Sequence, residues 1–217
     1  MYNIAIDGPA GAGKSTIAKI VAKKLGYIYV DTGAMYRTMA LACYREGIKA
    51  EEEDKVIEKC NHVNITLGYE NDTQKVYLEE EDVSQQIRQE EIGNMTSAIA
   101  VYPPVRKILV EMQQDLAKKN NVVMDGRDIG TAVLPNADLK IYLTASARTR
   151  AERRYKELVE KGQSCNIDAI EKDIKERDYR DMHREVSPLK QAEDAVLVDS
   201  SDMNIEQVVD TIIKLVQ

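Results

Sequence analysis

The chain has 217 residues, 43% of them apolar and 31% charged, with a formal net charge of −7. That length suits one large domain or one domain carrying an insertion, and no apolar run approaches a membrane span. The acidic balance argues against a general nucleic-acid binder, so any grip on a polyanion must come from locally focused positive charge. Cys43, Cys60 and Cys165 are scattered without metal or redox spacing, and His62 and His183 are isolated. This pattern predicts unpaired thiols in a reducing cytoplasm. The opening MYNIAIDG has neither a basic stretch nor a cleavable apolar segment, so no signal peptide is expected.

In chain order, Asn3 to Ile6 read as a first strand. Ile17, Ile20, Val21 and Leu25 then carry helical spacing over about 14–25. Between them lies Gly8-Pro9-Ala10-Gly11-Ala12-Gly13-Lys14-Ser15-Thr16, which fits G-x-x-x-x-G-K-[ST] at every fixed position. Small residues let successive backbone N–H groups converge on one anion, and the helix N-terminus adds its partial positive charge. Lys14 is placed to reach the β- and γ-phosphates of a nucleoside triphosphate, and the Ser15 hydroxyl to ligate Mg²⁺.

Tyr27 to Val30 predict a second strand, followed by the turn Asp31-Thr32-Gly33. Asp31 or Thr32 would cap a helix running to about Glu46, which Gly47 ends. A short helix near 52–61 follows. Val63 to Leu67 and Lys75 to Leu78 then alternate with period two around Gly68 to Thr73, a hairpin signal, and Glu81 to Val83 adds a short third strand. This β-meander, about 62–87, interrupts an α/β order, so it reads as an inserted subdomain within a core of 1–61 and 88–217. Helices are expected at 88–100 and 104–119, strands at Asn121 to Asp125 and Leu139 to Leu143, and helices at 146–161 and 167–185. A strand at Ala195 to Val198 and a helix at 204–216 close the chain. Parallel strands separated by helices indicate an α/β, doubly wound sheet that binds ligands at the C-terminal ends of its strands.

The loop specifies a phosphate but not its fate. The base-reading strings of small GTP-binding switches are absent, and a motor would be longer. A small phosphotransferase remains, which must hold two anionic substrates and exclude water. Arg148, Arg150, Arg153 and Arg154 form one cationic cluster, and Arg177, Arg180 and Arg184 another. The segment from about Arg148 to Gly162 is expected to act as a lid whose four arginines repel one another, offset only in part by Glu152. Gly162 is then either a hinge or an ordinary helix-ending glycine. Kinases for other small acceptors, such as UMP or dTMP, and a non-catalytic nucleotide-binding module stay open at this point.

Three further motifs narrow the reading. Asp31-Thr32-Gly33-Ala34-Met35-Tyr36-Arg37, Asp125-Gly126-Arg127-Asp128-Ile129-Gly130-Thr131 and Glu176-Arg177-Asp178-x-x-Asp181-x-x-Arg184 occur in this order. They resemble the D-[ST]-G-A-x-Y-R, D-G-R-D-x-G-T and E-R-D-x-x-D-x-x-R segments of bacterial-type cytidylate kinases, and the resemblance covers essentially the whole chain. It implies phosphoryl transfer from ATP to CMP or dCMP, with Mg²⁺, by a cytoplasmic enzyme that is expected to be a monomer with no nucleic-acid or membrane partner. It places Ser97, Arg106, Arg127 and Asp128 around the cytosine and acceptor, with Thr32 and Arg37 holding the acceptor nucleotide. Arg177 and Asp181 would read the ribose, and Arg184 would lie near the acceptor phosphate. Thr32 stands where serine is common, and Ser15 where glycine often appears; both keep a hydroxyl. Lys14, Arg153, Arg154 and Arg184 are the residues expected to neutralise transferring charge, and Asp125, at a strand end, is the expected partner of Mg²⁺ with Ser15.

Overall fold

The computed structural model describes residues 1–70 and 73–216. Its strands are β1 (Asn3–Asp7), β2 (Ile28–Asp31), β3 (Ile65–Glu70), β4 (Thr73–Leu78), β5 (Glu81–Asp82), β6 (Val122–Gly126), β7 (Leu139–Thr144) and β8 (Val196–Asp199). Its helices are α1 (Lys14–Leu25), α2 (Thr32–Arg45), α3 (Glu53–Asn61), α4 (Glu90–Ile99), α5 (Pro103–Lys119), α6 (Ala147–Glu160), α7 (Ile167–His183) and α8 (Ile205–Leu215). A single 3₁₀ turn at Gln86–Arg88 precedes α4, so the helix expected from residue 88 starts later, after an extended Gln89. One sheet has five strands in the order β2-β6-β1-β7-β8, and a second has three in the order β3-β4-β5. The chain divides into two compact units, Met1–Ile28 with Asn120–Gln217, and Tyr29–Lys119.

In the first unit β1 lies between β6 and β7 and pairs parallel with both, with Ile4 opposite Val123 and Leu139. Ile4, Ala5, Ile6, Val122, Val123 and Met124 are fully buried. Such continuous apolar runs are what a parallel sheet covered on both faces requires. Helix α1 contributes Ile17, Ala18, Val21 and Ala22 to the core, and α8 contributes Val208, Val209 and Ile212. A reciprocal pair, Asn204 and Gln207, caps α8. The C-terminal ends of β1 and β6 therefore sit side by side, with Asp7 opposite Gly126.

In the second unit α2 is buried along most of its length, from Ala34 through Cys43. It packs on α3, α4, α5, β4 and the 3₁₀ turn. Asp31 caps it by accepting from the Ala34 N–H at 2.8 Å. The antiparallel sheet belongs to this same unit as α2–α5. Its hairpin pairs Ile65 with Leu78 and Glu70 with Thr73, and the turn expected there lies at 71–72, outside the described residues. Gly68, expected to open the turn, is instead a strand residue opposite Lys75. A side chain at 68 would meet the Tyr77 ring at 2.9 Å, so the glycine makes room for that ring.

The approach of the glycine-rich loop to β7 fixes where the loop sits. Gly8 has φ +150°, and a Cβ there would lie 1.9 Å from the Leu143 carbonyl oxygen. Gly13 also has positive φ, +85°, but faces open space. Gly13→Ala is expected to lose about 1–2 kcal/mol, the ordinary penalty of a left-handed alanine. Gly8→Ala should lose clearly more, read as a lower urea midpoint. Equal midpoints for the two variants would show that the loop does not lie against β7.

Candidate active site

The loop between β1 and α1 wraps a lysine that has left solvent. The Lys14 side chain is buried and its Nζ donates to the Pro9 carbonyl at 2.7 Å. Burial, and after it the charge of Arg127, holds the ammonium well below its usual pKa, while Asp125, Asp7 and Asp181 pull it back up. The next residue, Ser15, donates from its hydroxyl to Asp125 Oδ2 at 2.8 Å. Asp125 is buried at the end of β6. A hydroxyl and a carboxylate oxygen side by side are hard oxygen donors of the kind a Mg²⁺ ion takes.

Past Asp125 the chain supplies two Arg–Asp pairs. Arg127 Nε donates to Asp181 Oδ2 at 2.8 Å, and Arg184 donates to Asp128 Oδ1 at 3.4 Å. Arg184 Nε also donates to the Ser187 carbonyl at 2.6 Å, and Ser187 has a left-handed φ of +48°. Arg177 stands exposed one turn before Asp181 on α7. Thus Lys14, Asp125, Arg127 and Asp181 act on one another electrostatically, Ser15 is tied to Asp125, and Arg184 pairs with Asp128 beside them in the chain.

The second unit carries its own set. Thr32 is buried at the first position of α2. Arg37 pairs with Asp31 at 3.2 Å, and its Nε is buried with no hydrogen-bond partner. Arg106 is buried on α5, donates to the Ala100 carbonyl at 3.4 Å and lies 5.6 Å from the centre of the Tyr36 ring. Ser97 is exposed on α4, where its hydroxyl donates to the Gly93 carbonyl at 3.3 Å.

The arginines of α6 differ from expectation. Mutual repulsion does not describe them, because acids both on α6 itself and distant in sequence meet them. Arg148 pairs with Glu152, Asp168 and Glu171, Arg150 with Asp178, and Arg154 with Glu157. Arg153 donates to the Ser200 carbonyl at 2.7 Å. The arginine against the phosphate loop is Arg150, which sequence reading had grouped with the cluster but not assigned to the site. It is buried and donates to the Ala10 carbonyl at 2.9 Å and to both Asp178 oxygens, at 3.1 and 2.6 Å. The only sequence signal was its place beside the small residues Ala147 and Ala151. Gly162 has φ +72° and donates to the Val159 carbonyl at 2.9 Å, the geometry of a helix-ending glycine.

Asp7 was also missed. It is 5% exposed and accepts from the N–H groups of Ile129 and Gly130 at 2.8 and 2.7 Å. These donors open a single π-helical turn, Ile129–Val133.

A phosphate loop joining the first strand of a parallel sheet to its first helix, with charged side chains at the neighbouring strand end, defines a phosphate-loop nucleotide-binding fold. A shikimate kinase from Bacteroides thetaiotaomicron shares the fold at TM-score 0.50 and 13% identity, over 99% of this chain and 97% of that one. Sequence relationships go further. The family model described as cytidylate kinase matches residues 4–217. A cytidylate kinase from Leuconostoc mesenteroides is 48% identical over 216 residues, covering 100% of this chain and 96% of that protein. One from Caldicellulosiruptor saccharolyticus is 50% identical over 213 residues, covering 98% and 94%. The chain belongs to the cytidylate kinase family.

Burial raises the Asp7 carboxyl from 3.8 to about 6, against the pull of its two N–H donors; Asp128 adds to the rise and Lys14 opposes it. The folded value lies above the unfolded one, so the folded chain holds the extra proton between those two values. This contribution to stability is complete below about pH 4 and is lost as the pH rises through about 6, a change of about 3 kcal/mol at most. Asp7→Asn should flatten that part of the pH dependence of unfolding free energy. An unchanged slope would exclude Asp7 as its source.

Proposed function

We propose that this chain transfers the γ-phosphoryl group of ATP to CMP or dCMP, giving ADP and CDP or dCDP, as a cytoplasmic monomer. Family membership, the buried Lys14 with Ser15 and Asp125 at the loop, and the Arg127–Asp181 and Arg184–Asp128 pairs support this reading. The loop Gly8–Thr16 is assigned to the ATP phosphates. The attacking atom is an oxygen of the acceptor phosphate, already anionic near neutral pH, so no general base is required. Catalysis is then positioning and charge neutralisation. Lys14 takes the charge that grows between the phosphates. Arg153, Arg154 and Arg184 are assigned to the same task, with α6 and the segment to Gly162 as a cover over the donor.

Ser15 and Asp125 fit Mg²⁺ through their adjacent oxygens. What the ion supplies when bound is neutralisation of phosphate charge. The unpaired cysteines suit a reducing compartment.

On the acceptor side, cytosine presents an amino donor at N4 and acceptors at N3 and O2. Asp128 and Ser97 suit the donor and Arg106 the acceptors, while Thr32, Arg37 and Arg127 hold the nucleotide, and Arg177 and Asp181 the ribose. The small sheet is assigned to this side. Uracil inverts two of the three groups and would leave a carboxylate facing an acceptor and an arginine facing a donor, an expensive mismatch.

The test is ADP release with a panel of monophosphates. CMP and dCMP should turn over with Mg²⁺, with UMP and AMP at least about a hundredfold poorer in kcat/KM, as unpaired buried polar groups dictate. Comparable turnover of UMP would refute the base-reading set. Lys14→Ala should lower kcat by about 10²–10³, the scale of one preorganised electrostatic group. A folded Lys14→Ala protein with near wild-type kcat would remove the lysine from the mechanism.

A further inference from the structure

The turn after β6 is capped by the wrong aspartate. Asp128 occupies the residue before the π-helical turn, where an aspartate ordinarily folds its carboxylate back onto the first free N–H groups. Its backbone carbonyl accepts from Ala132 and Val133 at 2.8 and 3.3 Å, as a capping residue's does, but its side chain makes no capping bond. The N–H groups of Ile129 and Gly130 are taken instead by Asp7, from the end of β1 more than a hundred residues earlier in the chain. The Asp128 carboxylate therefore stays turned toward Arg184. A Cβ at Gly130 would crowd the Lys140 side chain, at 3.1 Å from Cδ and 3.3 Å from Cγ, and would come into ordinary contact with Asp7 Oδ2 at 3.4 Å.

We propose that Asp7 is a positioning residue for acceptor recognition: by capping the turn in place of Asp128, it keeps the Asp128 carboxylate available to the acceptor base. This rests on the assignment of Asp128 to the acceptor. Without the Asp7 carboxylate the two N–H groups lose their acceptor, and Asp128, as the residue before the turn, is placed to take the Gly130 N–H in the usual capping manner. It would do so by folding back, away from Arg184. Asp7 thus acts through Asp128 and not through the phosphate loop that follows it, although Lys14 lies close enough to feel its charge.

The experiment is a double-mutant cycle read in steady-state kinetics with CMP and ATP varied separately. Asp7→Asn keeps the size of the side chain and one acceptor oxygen but places an amide N–H against the second donor. It should raise KM for CMP about tenfold or more, as loss of one buried hydrogen bond does, narrow the preference for CMP over UMP, and leave KM for ATP within about threefold. In an Asp128→Ala background the same change should add little, because the group it positions is gone. Gly130→Ala, which puts a methyl against Asp7 at 3.4 Å while Lys140 gives way, should show a weaker form of the same signature as Asp7→Asn. Equal effects of Asp7→Asn with and without Asp128, or equal weakening of ATP and CMP, overturn the inference. So does an unfolded chain for both Asp7→Asn and Gly130→Ala, which would assign the contact to stability alone. If Asp128→Ala leaves KM for CMP unchanged, the acceptor assignment of Asp128 fails and the inference with it. If Asp128→Ala raises KM and Asp7→Asn does not, the inference alone fails.

Discussion

Burying an ammonium group costs several kcal/mol unless oxygens and opposite charge surround it, and Lys14 is buried. The rest of the first unit is arranged around that burden. The Pro9 carbonyl accepts a hydrogen bond from the ammonium, and Asp125, Asp7 and Asp181 supply negative charge from β6, β1 and α7. A parallel sheet makes this possible, because it brings the C-terminal ends of β1 and β6 together from distant parts of the sequence. The loop can only pass so close to β7 because Gly8 has no side chain. On the proposed function, a lysine held this way would meet a phosphate already oriented and largely stripped of water, the condition under which charge stabilises a transition state most.

Around that lysine the acids divide their work. Asp125 holds Ser15, Asp181 holds Arg127, and Asp128 holds Arg184. Asp7 holds only backbone. In the other unit Asp31 does both tasks at once, capping α2 and pairing with Arg37. The contrast is physical. A capping aspartate at a helix start has one oxygen to spare for an arginine on its own first turns, as at Asp31. Asp128 must face an arginine from another helix, so its cap comes from elsewhere.

Much of this was legible in the sequence. The loop Gly8–Thr16 announced itself through spacing, since only small residues leave backbone N–H groups free to converge. The strands β1, β6 and β7 were readable because parallel strands buried on both faces need uninterrupted apolar runs. Asp31 was readable as a cap from its position before a helical pattern. What escaped reading depends on partners remote in sequence. Arg150 looks like its neighbours on α6 until Asp178 and the Ala10 carbonyl are seen beside it. The expected repulsion among these arginines failed for the same reason, because Asp168, Glu171 and Asp178 arrive from α7. Gly68 read as a turn because nothing in the sequence shows the Tyr77 ring across the strand. Asp7 falls between the expected strand, Asn3 to Ile6, and the glycine-rich loop, and only the fold sets it against residues 129 and 130.

The central claim is that Lys14 is held as a buried, charge-balanced group for phosphate. Selective ¹⁵N detection of the Lys14 side chain during a pH titration tests it most directly. The account predicts that Lys14 titrates well below the ordinary lysine range in the free protein and that its pKa rises when ATP supplies negative charge. A Lys14 that titrates as an ordinary exposed lysine, with or without ATP, would contradict it.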